Sequence, residues 1–200
     1  NGILGMSEIM AGTASVPQSI KANIDVIRSA GRTLEALLSD LLDLASADAG
    51  KLRISYAPFD VASEICAAVG LSQQQARSKG LDFTLEYAPD SLAWAMGDAT
   101  RFRQIVSNLV GNAVKFTQSG RVTVGAAQAE DRVVIDVSDT GPGISGEVVG
   151  EIFSRFRQAD DQVAERFGGS GLGLAICREL ATAMGGDISV ESAVGNGARF

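Results

Sequence analysis

The chain has 200 residues, of which 46% are apolar and 20% charged, with 4 prolines and 23 glycines; this excludes disordered and collagen-like classes and allows one or two domains with a substantial core. A formal charge of −7 argues against a nucleic-acid partner, whose affinity rests on lysine and arginine neutralising phosphates, but permits an anionic ligand that arrives with its own cation. There is no histidine, so a serine–histidine relay, a histidine general base and a histidine-ligated zinc are excluded within these residues.

Residues 3–10 read as a short apolar helix, and a turn over 12–17, bounded by Gly12 and Pro17, leads into a longer one. Between 19 and 47 there is no proline, and apolar residues recur in two series seven apart. One is Ile20, Ile27, Leu34 and Leu41; the other is Ile24, Gly31, Leu38 and Ala45. Alternating steps of four and three form an a/d seam, which predicts a helix pairing in a bundle or coiled coil. An ordinary amphipathic surface helix is the plainer alternative. Residues 1–48 are therefore expected to form a helical hairpin with a shortened first arm. Such a unit is too small to bury its own seam and needs a partner.

A second domain is expected over 51–200. Residues 52–57 alternate as a strand, and Asp60 is placed to cap a helix running to Gly80. A strand over 81–87 follows. Asp98 then caps a helix with the apolar stripe Phe102, Ile105, Val106, Leu109, Val110, Ala113 and Val114. Segments 122–126 and 132–137 read as a hairpin turning at Glu130 and Asp131, and a helix over 171–184 stops at Gly185-Gly186. A last hairpin, 188–192 with 195–200, is expected, cut within its final strand. The order implies an α/β class: a two-layer sandwich with a mixed sheet and helices on one face. Cys66 and Cys177 lie in apolar helical stretches without metal spacing, so both are expected as buried thiols in a reducing compartment. No apolar run approaches the ~20 residues of a membrane span and no signal peptide opens the chain, so a soluble segment is expected.

Three stations carry the chemistry, and none is a Walker loop. On the helix after Asp98, Asn108, Asn112 and Lys115 fall at i, i+4 and i+7 and share one stripe. A neutral amide oxygen suits a hard cation such as Mg²⁺, and a lysine one turn on suits a phosphate oxygen; a merely solvated face is the alternative. The second is Asp139-Thr140-Gly141-Pro142-Gly143-Ile144, directly after an apolar strand. Its carboxylate suits an amino group such as that of adenine, although the motif alone also fits an ordinary turn. The third is Gly168-Gly169-Ser170-Gly171-Leu172-Gly173-Leu174, running into a helix, where backbone N–H groups and the helix N-terminus favour a phosphate chain. It follows an irregular stretch and not a strand, which disfavours a dinucleotide fold. Residues 144–168, with Phe153 and Phe156, have the composition of a lid held at one end by aromatics.

These stations, in this order, resemble the sensor histidine kinases. Asn108 to Thr117 is similar to the family's N box and Asp139 to Gly143 to its G1 box. Phe153 to Gln158 is similar to its F box and Gly169 to Leu174 to its G2 box, in wording nearest to hybrid kinases. The resemblance implies that Asp139 binds adenine, with Gly141, Gly143 and Ile144 beside it, and that Asn112 holds Mg²⁺ against the phosphates of ATP. It implies that Asn108 and Lys115 support the phosphate chain, that Gly169, Ser170, Gly171, Leu172, Gly173 and Leu174 wrap it, and that Phe153, Phe156 and Gln158 border it. The acceptor histidine is expected upstream of Asn1. Implied partners are a second copy through the hairpin, and a receiver domain in the same chain or a separate response regulator. The location is expected to be cytoplasmic, with any membrane attachment lying outside these residues. Two other readings stand beside the kinase. A gyrase- or chaperone-like ATPase would carry a glutamate where Asn108 stands, and a pseudokinase would only bind nucleotide or scaffold a dimer.

Overall fold

The structure, a computed structural model, describes residues 2–12, 17–87, 94–129, 132–155 and 171–200. By internal contacts the chain divides into two units, Asn1–Lys51 and Leu52–Phe200.

The first unit is made of α1 (Gly2–Gly12) packed against α2 (Gln18–Asp48). Pro17 precedes α2 and its carbonyl accepts from the Ile20 and Lys21 N–H groups, a position proline fills well because the first turn has no use for its missing donor. The seven-residue series divide unequally. Ile24 is buried, as is Leu44, whereas Ile20, Ile27, Leu34, Leu38 and Leu41 are exposed. Asp43 is buried too, and burial, followed by the nearby Asp43 charge, raises the Asp40 carboxyl above its ordinary value.

In the second unit, β1 (Ala57–Asp60) leads into α3 (Val61–Lys79), then β2 (Asp82–Glu86), β3 (Trp94–Gly97), α4 (Ala99–Phe116), β4 (Arg121–Ala129) and β5 (Arg132–Asp139). A helical turn, α5 (Gly146–Val149), precedes α6 (Gly173–Ala183), β6 (Glu191–Ser192) and β7 (Ala198–Arg199). The main sheet has the order β2-β4-β5-β7-β6. It is mixed: β2 runs parallel to β4, and the remaining pairs are antiparallel. The period-2 pattern of β4 and β5 places Val122, Val124 and Val137 on one face, with Val124 opposite Val137. That face is sealed by Val61, Ile65 and Val69 of α3 and by Val106, Val110 and Val114 of α4. α6 packs on α4, and its Ala175, Ile176, Cys177 and Leu180 are buried.

Both expected caps form. The Asp60 carboxylate accepts from the Ala62 and Ser63 N–H groups, and Asp98 Oδ1 accepts from Thr100 and Arg101. Gly80, at φ 73°, ends α3 in the left-handed conformation that glycine adopts without steric cost.

Two expectations are corrected. The first strand is not 52–57 but Ala57–Asp60, paired with the four-residue β3, which sequence reasoning missed. A strand exists only where a ladder partner lies, and the partner here spans Trp94 to Gly97; upstream, the Ser55 N–H turns to Asp98 Oδ2 at 3.0 Å. Cys177 is buried as expected, but Cys66 is exposed. The buried stripe of α3 is Val61, Ile65, Ala68, Val69, Ser72 and Ala76, and position 66 lies off it. The Cys66 thiol sits 3.5 Å from the Tyr87 hydroxyl, whose ionisation is pushed up by burial and by that hydrogen bond. The turn at Glu130 and Asp131 and most of the 12–17 turn lie outside the described residues.

Candidate nucleotide site

Helix α4 organises the site. Its apolar stripe faces the sheet, which leaves Asn108, Asn112 and Lys115 half-buried on another side. Asn112 Nδ2 donates to Asn108 Oδ1 at 3.1 Å. This bond commits the Asn112 amide nitrogen and leaves its carbonyl oxygen as the acceptor. Among the described residues no group of three or more carboxylate, cysteine or histidine side chains could hold a metal. One amide oxygen, completed by ligand phosphate and water, fits a hard cation such as Mg²⁺ and suits zinc poorly. The Lys115 ammonium lies 4.9 Å from the Phe116 ring centroid, and burial lowers its pKa from the ordinary value. Sequence reasoning did not find what fixes this end of the helix. Lys79, from the end of α3, donates to the Val114 and Lys115 carbonyls at 2.7 and 3.1 Å. The Thr117 hydroxyl donates to the Ala113 carbonyl. Together they satisfy carbonyls that a helix end leaves orphaned.

Two glycine segments approach α4 at different points. At the end of β5, Asp139 Oδ1 accepts from the Gly141 N–H at 2.7 Å. Burial raises the Asp139 carboxyl above its ordinary value, and the Gly141 and Ala198 N–H groups offset part of that rise. A methyl on Gly141 would lie 2.8 Å from Asp139 Oδ1 and 3.4 Å from Thr117 Oγ1, so the turn closes over the carboxylate and the end of α4 only because position 141 lacks a side chain. Near the middle of α4, Asn108 meets the first residue of α6. A methyl on Gly173 would stand 2.6 Å from Asn108 Nδ2, so glycine at 173 admits that amide to the helix start. Gly171, at φ 67°, turns the chain into α6, and α6 begins with no side-chain cap. Leu172 is buried and Leu174 packs on the core; their side chains anchor α6.

The segment after the Asp139 loop is tied down at Phe153. Its ring stands edge-on to Phe200, 6.4 Å between centroids, and the Arg178 guanidinium lies 5.4 Å from it. Arg155 pairs with Glu179 at 3.5 Å. Phe156, Gln158, Gly169 and Ser170 lie outside the described residues.

An α/β sandwich in which one helix joins an amide pair, a carboxylate-bearing glycine turn and a glycine-started helix defines an ATPase-type nucleotide domain without a Walker loop. Residues 97–200 match the family described as histidine kinase-, DNA gyrase B-, and HSP90-like ATPase, and the chain belongs to that family. Within it, the similarity runs to sensor histidine kinases of the hybrid type. The whole chain aligns at 36% identity with 12% of the length of hybrid signal transduction histidine kinase L from Dictyostelium discoideum. Among solved structures, full-length ShkA in complex with AMPPNP covers all of this chain at TM-score 0.79 and 33% identity, the chain spanning 41% of it. The histidine kinase ThkA in complex with the response regulator TrrA covers 99% of the chain at TM-score 0.67 and 25% identity, the chain spanning 55% of it. These similarities do not favour the scaffold reading.

Proposed function

We propose that residues 51–200 form the ATP-binding catalytic domain of a sensor histidine kinase and that residues 1–48 are part of its dimerisation hairpin. The carrying observation is that α4 meets both glycine segments, with Asn108 at Gly173 and Thr117 at Gly141. In this reading the Asp139 carboxylate accepts the exocyclic amine of adenine, with Gly141, Gly143 and Ile144 around the base. Asn112 Oδ1 would hold Mg²⁺, Asn108 and Lys115 would support the phosphate chain, and the 169–174 segment would wrap it. Phe153 and Phe156 anchor the lid, and Gln158 contacts the phosphates. The cation supplies charge neutralisation for in-line transfer of the γ-phosphoryl group. The chain's own residues orient the nucleotide and exclude water. The acceptor is a histidine, which none of these 200 residues provides, and an aspartate of a receiver domain takes the phosphoryl group onward. In this reading the domain works in the cytoplasm, where ATP is available.

Asn108 weighs against hydrolysis, because an amide orients a water molecule but cannot deprotonate it. The full-length protein, given ATP labelled at the γ-phosphate, is expected to retain acid-labile label, and Asn112→Ala to abolish it. Rapid phosphate release with no label retained on the protein would identify an ATPase instead.

A further inference from the structure

The loop proposed to hold the base does not stand by itself. Its first residues are fixed to the start of β4: the Arg121 N–H donates to Thr140 Oγ1 at 2.9 Å, and the Thr140 N–H to the Arg121 carbonyl at 3.1 Å. Its far side rests on the end of β6 and on the turn between β6 and β7. There Ser192 Oγ accepts the Ile144 N–H at 2.8 Å and donates to the Gly197 carbonyl at 2.6 Å. The Gly195 N–H donates to the Pro142 carbonyl at 2.7 Å. The approach is close enough that a methyl on Gly143 would fall 2.0 Å from the Ala193 carbonyl oxygen, and one on Gly197 1.8 Å from that of Asp139. Gly143 and Gly197 also have φ of 70° and 72°, so both strands of this contact depend on glycine twice over.

We propose that Ser192 is a positioning residue for nucleotide binding: its hydroxyl joins the 139–144 loop to the β6–β7 turn and thereby sets the place of the Asp139 carboxylate. The proposal rests on the reading of Asp139 as the base-binding group. The hydroxyl is suited to the task because it donates and accepts at once. Its acceptor side holds the last residue of the loop, and its donor side holds Gly197, the residue whose backbone touches Asp139. The neighbouring Ala198 N–H reaches the same carboxylate. One side chain therefore links both backbone segments that border Asp139, and it does so without touching the phosphate-binding side of the site.

That separation supplies the test. Titration calorimetry on the 200-residue chain would compare Mg-ATP with Mg-tripolyphosphate, which has the phosphates without the base, and urea unfolding would accompany each variant. Ser192→Ala is expected to weaken ATP by about tenfold, the scale of one hydrogen bond left unmade, with tripolyphosphate unchanged. Ser192→Thr, which keeps both functions of the hydroxyl, is expected to restore ATP binding. Ser192→Cys, of similar volume with a weak donor and acceptor, is expected to fall between and serves if the alanine variant fails to fold. Unchanged ATP affinity in Ser192→Ala, equal losses for ATP and tripolyphosphate, or no recovery with threonine would each overturn the proposal. Asp139→Asn in the same assay separates the two claims. If it leaves ATP binding intact, the reading of the base site fails; if it weakens ATP while Ser192→Ala does not, only the role of Ser192 fails.

Discussion

At the residue scale, Asp139 is a half-buried carboxylate whose ionisation burial opposes. Burial raises its pKa in the folded chain, so the folded protein binds the proton more tightly than the unfolded chain does. Its contribution to stability is complete below the unfolded value, near ~3.9, and is lost as pH rises through the raised folded value. At neutral pH the ionised carboxylate opposes folding, and Asp139→Asn, which still accepts from Gly141, is expected to raise the urea midpoint of the nucleotide-free chain. The same change should weaken ADP and ATP by on the order of 1–3 kcal/mol, the range for losing a charged hydrogen-bond partner. Nucleotide affinity of the parent chain should fall on acidification from above the ordinary carboxylate range, while the asparagine variant lacks that component. Calorimetry with ADP across pH checks both; identical pH profiles would take Asp139 out of the base site.

At the element scale, α4 is the part on which the site depends, and it is fixed at both ends by groups outside its own run. Burial opposes ionisation of Asp98, but the Ser55, Arg101 and Thr100 N–H groups outweigh it and hold the carboxyl below its ordinary value. Here the sign is the reverse of that for Asp139. The stabilisation is present above the unfolded pKa and disappears as pH falls through the lowered folded one. Asp98→Ala should destabilise the domain by roughly 1–2 kcal/mol, the usual worth of an N-cap, and Asp98→Asn by a fraction of that. The difference between Asp98 and Asp98→Ala should vanish in acid, measured as urea midpoints from pH 7 downward. A pH-independent difference would show that the aspartate acts by packing and not as a charged cap.

At the scale of the whole molecule, the long helix α2 leaves much of its apolar surface exposed. Leu34 is 59% exposed and Leu41 46%, and with Ile20 and Ile27 they follow one seven-residue series along α2. Water contact along such a stripe is unfavourable by about 25 cal/mol per Å² of apolar area, which a second copy would relieve. The 200-residue chain is therefore expected to self-associate, and Leu34→Glu with Leu41→Glu to give a monomer by light scattering without loss of nucleotide binding. A parent chain already monomeric at high micromolar concentration would assign the stripe to another partner.

Sequence by itself determined the parts of this protein that follow from local rules. Caps at Asp60 and Asp98 need only a carboxylate a few residues from the N–H groups they accept, and the turn at Gly80 needs only a residue free to adopt positive φ. The stripe of α4 and the alternation of β4 and β5 follow from the 3.6 and 2 periods of their backbones. Gly141 and Gly173 left a mark in the sequence because the close approach of Asp139 Oδ1 and of Asn108 leaves no room for a side chain there. Tertiary structure decided what depends on pairing across long separations. β3 has four residues and no pattern of its own; it is a strand because β1 lies beside it. Cys66 is exposed because the core approaches α3 from the side that Ile65 and Val69 occupy. Lys79 meets the end of α4 across 35 residues of chain, and Ser192 meets Ile144 across 48. Neither carries a local signal, because a hydrogen bond between distant segments leaves no period in the sequence and becomes visible only once the sheet has brought its ends together.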